Sequence, residues 1–243
     1  MRFLTLLALN FFDSFHKKKI ISFFNKNKIF KFDTVIDIGG HTGESIIFFL
    51  KNFQTKNIYS FEPSPVNFTR LKKNINNLNK NFNKKKNINI VIENLALGEK
   101  KQKLQINQFI ESSSSSIKET DINNNYFKKK IKFLNLKKEK NLFTKYDIKM
   151  TTLSDYIKEK KIEIIDFVKI DTEGYEYEIL KGAQNNLKNI KIILLEHHYD
   201  RMIKKNYKFN EIYSFLKKNN FILRYKSKMP FRKTFEYIFF NNQ

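Results

Sequence analysis

The stretch VIDIGGHTGE, residues 35–44, places a short apolar strand directly before a glycine-rich turn and the start of a mixed apolar segment. This order of strand, turn and helix is typical of an open α/β sheet, in which ligands bind beyond the carboxyl ends of the strands. Glycine lets the backbone approach a ligand closely, and the helix that follows offers free N–H groups to an anion. The stretch therefore predicts a ligand-binding turn, with a simple tight turn as the alternative.

The glycine spacing in this turn distinguishes two kinds of nucleotide cofactor. A dinucleotide fingerprint beginning at Gly39 would need glycines at positions 41 and 44, which are His41 and Glu44. The pattern from Asp37 to Gly43, D-x-G-x-x-x-G, instead suits a mononucleoside cofactor that has no pyrophosphate.

A second acid supports this interpretation. Glu62 ends another apolar run, YSFEP at residues 59–63, and follows Asp37 by 25 residues. An acid at the tip of the second strand is placed to accept hydrogen bonds from both ribose hydroxyls. Helix capping is the weaker alternative for Glu62, because Ser64 can cap the helix that follows.

Two further strand ends complete the predicted crevice. The third strand runs into ENLALG, residues 93–98, where Ala96 would bound an adenine ring. The fourth, in FVKIDTEGYE at residues 167–176, brings Asp171 and Glu173 to the same edge. Capping of the next helix is the alternative role for these acids. Two acids and a glycine at this edge favour a functional role.

A pair of histidines, His197 and His198, ends the fifth strand in LEHH, residues 195–198. A general base or a metal ligand is one interpretation of such a pair, and a solvated strand end is the other. The sequence leaves both open, although His197 is a candidate catalytic residue. No metal site is assigned.

Apolar runs and mixed segments alternate along the chain in the rhythm of a parallel sheet covered by helices. The last two strands have no crossover helix between them and should be antiparallel neighbours. The lysine-rich residues 118–149 are expected to be an insertion over the sheet, and the serine run 112–116 to be flexible. The predicted strands cover residues 34–38, 57–62, 88–94, 165–170, 190–196, 221–226 and 234–240, and the predicted helices cover 43–53, 65–79, 153–160, 174–187 and 209–219.

Composition restricts the class of protein and its partners. The net charge of +23 favours partners with phosphates, yet only five of the 47 basic residues are arginines, the residue preferred for reading bases. Abundant Lys, Asn, Ile and Phe indicate A/T-rich codon usage as the larger cause, which argues against nucleic acid. The absence of cysteine excludes disulfides and thiolate metal sites and is consistent with a cytoplasmic protein.

The N-terminal segment 1–33 is expected to be helical and to precede a single domain over residues 34–243. Its apolar start, MRFLTLLALNFF, is too short to span a bilayer and has no small-residue cleavage site after it. Packing on the domain is the favoured interpretation. Peripheral contact with a membrane surface is the alternative.

Taken in order, the motifs VIDIGGHTG, YSFEPSPVNFTRLKKN, ENLALG, TTLSDYI and DFVKIDTEGYEYEILKGA resemble the FkbM family of methyltransferases, from about residue 35 to 199. The resemblance implies an α/β, Rossmann-like class I methyltransferase fold. Its seven-stranded, mostly parallel sheet would carry helices on both faces and an antiparallel C-terminal hairpin. It also implies S-adenosylmethionine as the cofactor and O-methylation, often of sugars or secondary metabolites.

Carried over by position, the cofactor loop would include Asp37, Gly39, Gly40, His41 and Gly43, with Glu62 as the ribose ligand. Asp171 and Glu173 would match the family's acidic pair. This chain has Gly40-His41 where the family commonly has Ala-Asn, which changes the contacts of the loop.

The implied reaction is an in-line transfer of a methyl group to a hydroxyl, with His197, Asp171 or Glu173 as the base. A small-molecule or glycan acceptor is expected, and the oligomeric state is open. Two other hypotheses are a nucleic-acid-binding or RNA-modifying protein that uses the basic surface, and a fold that binds the cofactor without catalysis.

Overall fold

The computed structural model describes residues 16–82, 88–230 and 232–242, which form ten strands, seven α-helices and a 3₁₀ helix. The strands are β1 (Lys31–Ile38), β2 (Gln54–Phe61), β3 (Asn89–Glu93), β4 (Ala96–Leu97), β5 (Gln102–Phe109), β6 (Phe143–Thr151), β7 (Ile165–Ile170), β8 (Ile190–His198), β9 (Phe221–Lys228) and β10 (Thr234–Asn241). The helices are α1 (16–26), α2 (Glu44–Asn52), α3 (Pro65–Phe82), α4 (Asn125–Phe133), α5 (Leu153–Lys160), α6 (Glu176–Gly182) and α7 (Phe209–Lys218), and the 3₁₀ helix covers Gln184–Asn189.

The main sheet has the strand order β3-β2-β1-β7-β8-β10-β9. Its first five strands are parallel, and β10 runs antiparallel to both β8 and β9. The carboxyl ends of the parallel strands therefore meet at one edge, where α/β sheets bind ligands. The predicted seven-stranded, mostly parallel sheet with an antiparallel C-terminal hairpin is confirmed.

Both faces of this sheet are covered, because side chains alternate along each strand. Val35 and Phe167 pack with α1, α2 and α3, whereas their neighbours Ile36 and Val168 pack with α5, α6 and α7. We refer to these sides as the α1 face and the α7 face. The near-continuous apolar runs of β7 and β8 follow from burial on both sides.

One predicted helix differs from the structure at its start. The pattern predicted a helix over 174–187, but α6 begins only at Glu176. Glu173 and Gly174 have positive φ angles of 51° and 97°, a conformation that cannot continue into a right-handed helix. The chain therefore makes a tight turn after β7 and holds Glu173 at the edge of the sheet.

A three-stranded sheet in the order β4-β6-β5 was not predicted. β5 and β6 pair antiparallel along their length, and α4 packs beside them through Phe127. Only Ile148 and Met150 of β6 are buried, and lysines separate its apolar residues, so the apolar signal was weak. The lysine-rich residues 118–149 thus contain both a helix and most of a strand.

Helix α1 lies on the main sheet. Ile20 and Phe24 are buried in the core of the α1 face, and the ring of Phe23 stacks on that of Tyr225 at 4.6 Å between centroids. Residues 16–26 thus pack on the domain, whereas the apolar residues 1–12, for which packing was predicted, lie outside the described residues. No helix in the described part of the chain is both long and apolar enough to cross a membrane.

Candidate active site

A cleft of about 1240 Å³ opens at the carboxyl edge of the main sheet, beneath the serine run and α4. This volume exceeds the roughly 300–1,000 Å³ of common small-molecule pockets, so the cleft has room for two ligands. We call its two parts the glycine end, around Gly39, Gly40, His41, Glu62 and Ala96, and the acidic end, around Asp171, Glu173, Glu196, His198 and Asp200.

The glycine turn crosses directly over the ends of β2 and β7. The N–H groups of Gly39 and Gly40 both donate to the carbonyl of Phe61 at 2.9 Å. Gly39 has a φ of 93°, and a Cβ there would lie 1.8 Å from the carbonyl oxygen of Asp171. Only glycine satisfies both conditions, which fixes the floor of the glycine end.

Asp37 lies beneath this turn, wholly buried at the end of β1. Its Oδ2 accepts a hydrogen bond from the Ser60 hydroxyl at 2.8 Å, and its Oδ1 lies 3.8 Å from Nζ of Lys169. Burial raises the pKa of Asp37, and the charge of Lys169 opposes that shift. Asp37 therefore supports the turn from below and is not among the residues that line the cleft.

Glu62 follows the last residue of β2 and lines the cleft. Its two carboxylate oxygens accept hydrogen bonds from the N–H groups of His41 and Ser64, each at 2.8 Å. Two main-chain donors thus fix the carboxylate, and the remaining lone pairs can accept further hydrogen bonds. Burial raises the pKa of Glu62 to about 7, against the lowering effect of these N–H groups.

His41 links the glycine turn to the serine run. Its Nε2 lies 2.9 Å from Oγ of Ser112, and its Nδ1 lies 3.3 Å from Glu44. The serine run is held in place, contrary to the flexibility expected from its composition: the Ser116 hydroxyl donates to the carbonyl of Glu173 at 2.7 Å. His41 thus helps to attach a cover over the cleft.

The wall of the cleft beside Glu62 is formed by β4, which lies within the ENLALG motif. Ala96 and Leu97 form β4, are buried, and line the cleft. The Asn94 amide donates to the carbonyl of Glu62 at 2.8 Å, which ties this wall to the tip of β2. Ala96 therefore lies where the sequence predicted an apolar boundary.

At the acidic end, Lys169 joins the two parts of the cleft. Its Nζ lies 2.9 Å from Oδ2 of Asp171 and 3.8 Å from Asp37. Burial opposes ionisation of Asp171, but the charge of Lys169 and their hydrogen bond outweigh it and lower the pKa of Asp171. Asp171 is thus held as a carboxylate.

Three other acids surround His198. Its Nε2 lies 3.2 Å from Glu196 and 3.4 Å from Glu173, and its Nδ1 lies 3.6 Å from Asp200. Burial disfavours the charged imidazole, but these carboxylates outweigh it and raise the pKa of His198 well above its usual value. Burial also raises the pKa of Glu173, and it raises that of Glu196 to about 7.

His197 lies away from the cleft, on the α7 face of β8. It is 3% exposed, and its ring packs against Tyr199 and Phe209 at centroid distances of 4.8 and 5.5 Å. Burial, together with the nearby charge of Lys205, lowers the pKa of His197 to about 3. Among the other predicted site residues, Asp37 lies directly beneath the cleft, and Gly43 does not line it, since a Cβ there would meet Leu71 and Ile75 of α3. The rest line the cleft.

Sequence reasoning missed Lys169 and Glu196 as site residues, and it named His198 only as one of a histidine pair of which it chose His197 as the catalytic candidate. All three occupy alternate positions of β7 and β8 on the α1 face, in the row that contains Asp37 and Asp171. Their signal was present in the sequence, because a charged residue within an otherwise apolar, doubly covered strand needs a partner. Applying the alternation of strand side chains to LEHH would have separated His198 from His197.

A model of the FkbM methyltransferase domain matches residues 37–223 of this sequence. The chain belongs to the FkbM methyltransferase family. The resemblance inferred from the ordered motifs is thereby confirmed, and the glycine end and the acidic end both lie within the matched region. Among curated proteins, a search finds no match to the chain.

Solved structures share the FkbM-type fold at low identity. The methyltransferase FkbM from Methylobacillus flagellatus has a TM-score of 0.56 and 14% identity, over 87% of this chain and 44% of that one. M. capricolum TrmK, in complex with S-adenosyl-homocysteine, has a TM-score of 0.51 and 13% identity, over 94% and 69% of the two chains. A Streptococcus pneumoniae protein described as a candidate tRNA methyltransferase, in complex with S-adenosyl-L-methionine, has a TM-score of 0.50 and 12% identity, over 94% of this chain and 72% of that one.

These similarities show the fold alone, because the identities are low. This chain spans less than half the length of the Methylobacillus flagellatus protein.

Proposed function

We propose that this protein is an S-adenosylmethionine-dependent O-methyltransferase whose acceptor is a hydroxyl of a sugar, glycan or secondary metabolite. The observation that carries the proposal is the arrangement of the cleft, in which Glu62 at the glycine end shares one cavity with Glu173, Glu196 and His198. One end suits a nucleoside, and the other suits a ligand with many hydroxyl groups, because carboxylates accept hydrogen bonds.

The residues of the glycine end fit the cofactor. Glu62 would accept the ribose hydroxyls through lone pairs that its two main-chain donors leave free, and Ala96 would bound the adenine. The first turn of α2, through Glu44 and Ser45, also lines this end. S-adenosylmethionine supplies a methyl group on a positively charged sulfur, which becomes a neutral thioether when the methyl group leaves.

The acidic end would orient the acceptor and remove its proton. As the new C–O bond forms and the C–S bond breaks, the proton of the hydroxyl passes to Glu173 or Glu196. The pKa of Glu196, which burial raises to about 7, suits a base that operates near neutral pH. The charge of Asp171 is compensated by that of Lys169, and Asp171 would help to position the acceptor hydroxyl. We assign no catalytic role to His197.

Cofactor binding is the first test. Calorimetry with S-adenosylmethionine should show that Glu62→Gln weakens affinity by about 100-fold, the effect of losing two hydrogen bonds to a charged group. Glu93→Gln is the matched control, because Glu93 ends the adjacent strand, contacts the Tyr156 hydroxyl at 3.0 Å and does not line the cleft. Wild-type affinity in Glu62→Gln would falsify the assignment of the glycine end.

Methyl transfer is the second test. The protein is incubated with methyl-labelled cofactor and a cell extract, and the labelled product is then identified by mass spectrometry. An O-methyl group on a hydroxylated small molecule or glycan is the expected outcome. Label on nitrogen or carbon, or no label despite cofactor binding, contradicts O-methylation.

RNA is the second candidate acceptor, favoured by the rim of the cleft, to which Lys17, Lys18, Lys51, Lys129 and Lys130 contribute. Cations around a cleft attract phosphates. Treating the labelled extract with ribonuclease separates the two acceptors: label released from the macromolecular fraction indicates RNA. Label that resists ribonuclease supports the hydroxylated small molecule or glycan.

A further inference from the structure

The acidic end contains an unusual concentration of groups that can bind a cation. Asp171 follows β7 directly, and Glu196 and His198 end the neighbouring β8 on the same face. One ligand atom from each of these three side chains lies within 4.8 Å of the other two. Strand alternation therefore brings these two carboxylates and the imidazole together, although Asp171 precedes Glu196 by 25 residues in the sequence.

The orientation of His198 supports binding through Nε2. Its other ring nitrogen, Nδ1, lies 3.0 Å from Oγ1 of Thr234, on the adjacent strand β10, and 3.6 Å from Asp200. Histidines that bind metals are commonly fixed by a partner on their second nitrogen. Thr234 and Asp200 hold the ring so that Nε2 faces Glu196 and Glu173.

Two atoms that face this point lack hydrogen bonds. Among the described residues, neither Nε2 of His198 nor Oε2 of Glu173 makes an aligned hydrogen bond, although both are shielded from solvent and lie 3.4 Å from each other. The side chain of Glu196, directly beside them, is only 9% exposed. Ion pairs without aligned hydrogen bonds only partly offset the cost of burying these atoms, and an ion bound between them would satisfy both.

The acidic end concentrates several carboxylates around one point. Four carboxylates, those of Asp171, Glu173, Glu196 and Asp200, lie there; Lys169 and His198 contact them directly, and the charges of Lys130 and Lys205 act on Glu173 and Asp200 from farther away. Lys169 contacts Oδ2 of Asp171 and leaves the other oxygen available, because a carboxylate can bind through either atom. A divalent cation at this point would replace the proton of His198 as the positive charge that faces Glu173 and Glu196.

We propose that Asp171, Glu196 and His198 bind a divalent cation, with Glu173 beside it as the group that would then take the proton of the acceptor. Two carboxylates and one imidazole suit Mn²⁺ and related ions, and three protein ligands leave positions open for an acceptor. Cation binding does not depend on the proposed function, but its use does: the ion would bind the acceptor hydroxyl and lower its pKa.

Titration of the chelator-treated protein with Mn²⁺ alone tests this site. Electron paramagnetic resonance measures free Mn²⁺, and we expect saturable binding of one ion per chain. His198→Gln and Glu196→Gln should each weaken the affinity at least about tenfold, the loss typical of perturbed metal sites. His197→Gln is the matched control, since His197 is the next residue on the opposite face, and it should bind Mn²⁺ as the wild type does.

Pulsed electron paramagnetic resonance detects which nitrogen atoms bind Mn²⁺, and a purely structural effect of a substitution would not change that signal. Coupling of Mn²⁺ to an imidazole nitrogen should be present in the wild type and in His197→Gln, and absent in His198→Gln. No saturable binding to the wild type overturns the proposal whatever the variants do, and so does nitrogen coupling that persists in His198→Gln.

Calorimetry with S-adenosylmethionine on the same samples separates this proposal from the proposed function. Cofactor binding without Mn²⁺ binding overturns only the cation site. Mn²⁺ binding without cofactor binding overturns only the methyltransferase assignment. Retained cofactor affinity in the His198 and Glu196 variants also shows that they are folded.

Discussion

The two ends of the cleft hold their carboxylates in different ways. At the glycine end, both oxygens of Glu62 accept hydrogen bonds from main-chain N–H groups, those of His41 and Ser64. At the acidic end, Glu173, Glu196 and Asp200 face a single imidazole, and each distance to it is above 3.1 Å. Aligned hydrogen bonds thus fix the carboxylate of Glu62, whereas Oε2 of Glu173 and Nε2 of His198 make none.

This difference indicates different tasks. Main-chain donors fix a carboxylate in one position and partly offset the cost of its burial, which suits a site that binds the same nucleoside in every cycle. Side-chain charges of one sign, crowded together, raise one another's pKa and favour the uptake of a proton or a cation. We therefore expect changes at the acidic end to affect methyl transfer, and changes at the glycine end to affect cofactor affinity.

The largest expected effect comes from His198. At saturating cofactor, His198→Ala should reduce the rate of labelled methyl incorporation by about 100-fold or more, because the acidic end loses its central group. Calorimetric affinity for S-adenosylmethionine should change little. The variant thus tests whether the two ends function separately.

His197→Phe is the control for this variant. His197 packs among aromatic rings on the α7 face, so a phenyl ring should fit, and the incorporation rate should stay near that of the wild type. Equal losses in the two variants would show that β8 is sensitive to substitution in general. The distinction between its two faces would then be wrong.

The glycine end was the more predictable of the two, for a physical reason. Its turn depends on a local pattern, in which Gly39 must have positive φ and must pass close to the Asp171 carbonyl, so the requirement is visible in the sequence. The acidic end depends on which face of β8 points to the cleft. That face cannot be determined until the burial of the strand is known.

The same distinction applies to the fold. Strands β7 and β8 are buried on both faces and stand out as apolar runs, and the start and end predicted for β7 match the structure. β5 and β6 are half exposed and carry lysines, so their pattern did not stand out. Lysine-rich composition hides strands whose outer side is solvated.

A smaller effect is expected from the titration of Glu62. Burial raises its pKa to about 7, so the folded protein favours the protonated form more than the unfolded chain does. Ribose hydroxyls need the carboxylate as acceptor, and cofactor affinity should therefore increase with pH through this value. Between pH 6 and pH 8 we expect a gain of about tenfold, as the ionised fraction rises by that factor.

Calorimetry at several pH values measures this dependence, with Glu62→Gln as the control. The variant has no titrating group at this position, so its weaker affinity should not show the tenfold rise. If the pH dependence of the variant equals that of the wild type, another group is responsible. The carboxylate of Glu62 would then be ionised throughout this range.

The smallest expected effect concerns the link between the glycine turn and the serine run. Ser112→Ala removes the hydroxyl that lies 2.9 Å from Nε2 of His41. A partly exposed hydrogen bond contributes about 0.5–1.5 kcal/mol, so cofactor affinity should decrease by roughly threefold. Ser113→Ala is the matched control, because the exposed Ser113 hydroxyl donates only to Glu111. Equal cofactor affinities in the two variants would mean that the glycine end binds the cofactor without help from the serine run. The glycine end would then be still more independent of the rest of the cleft.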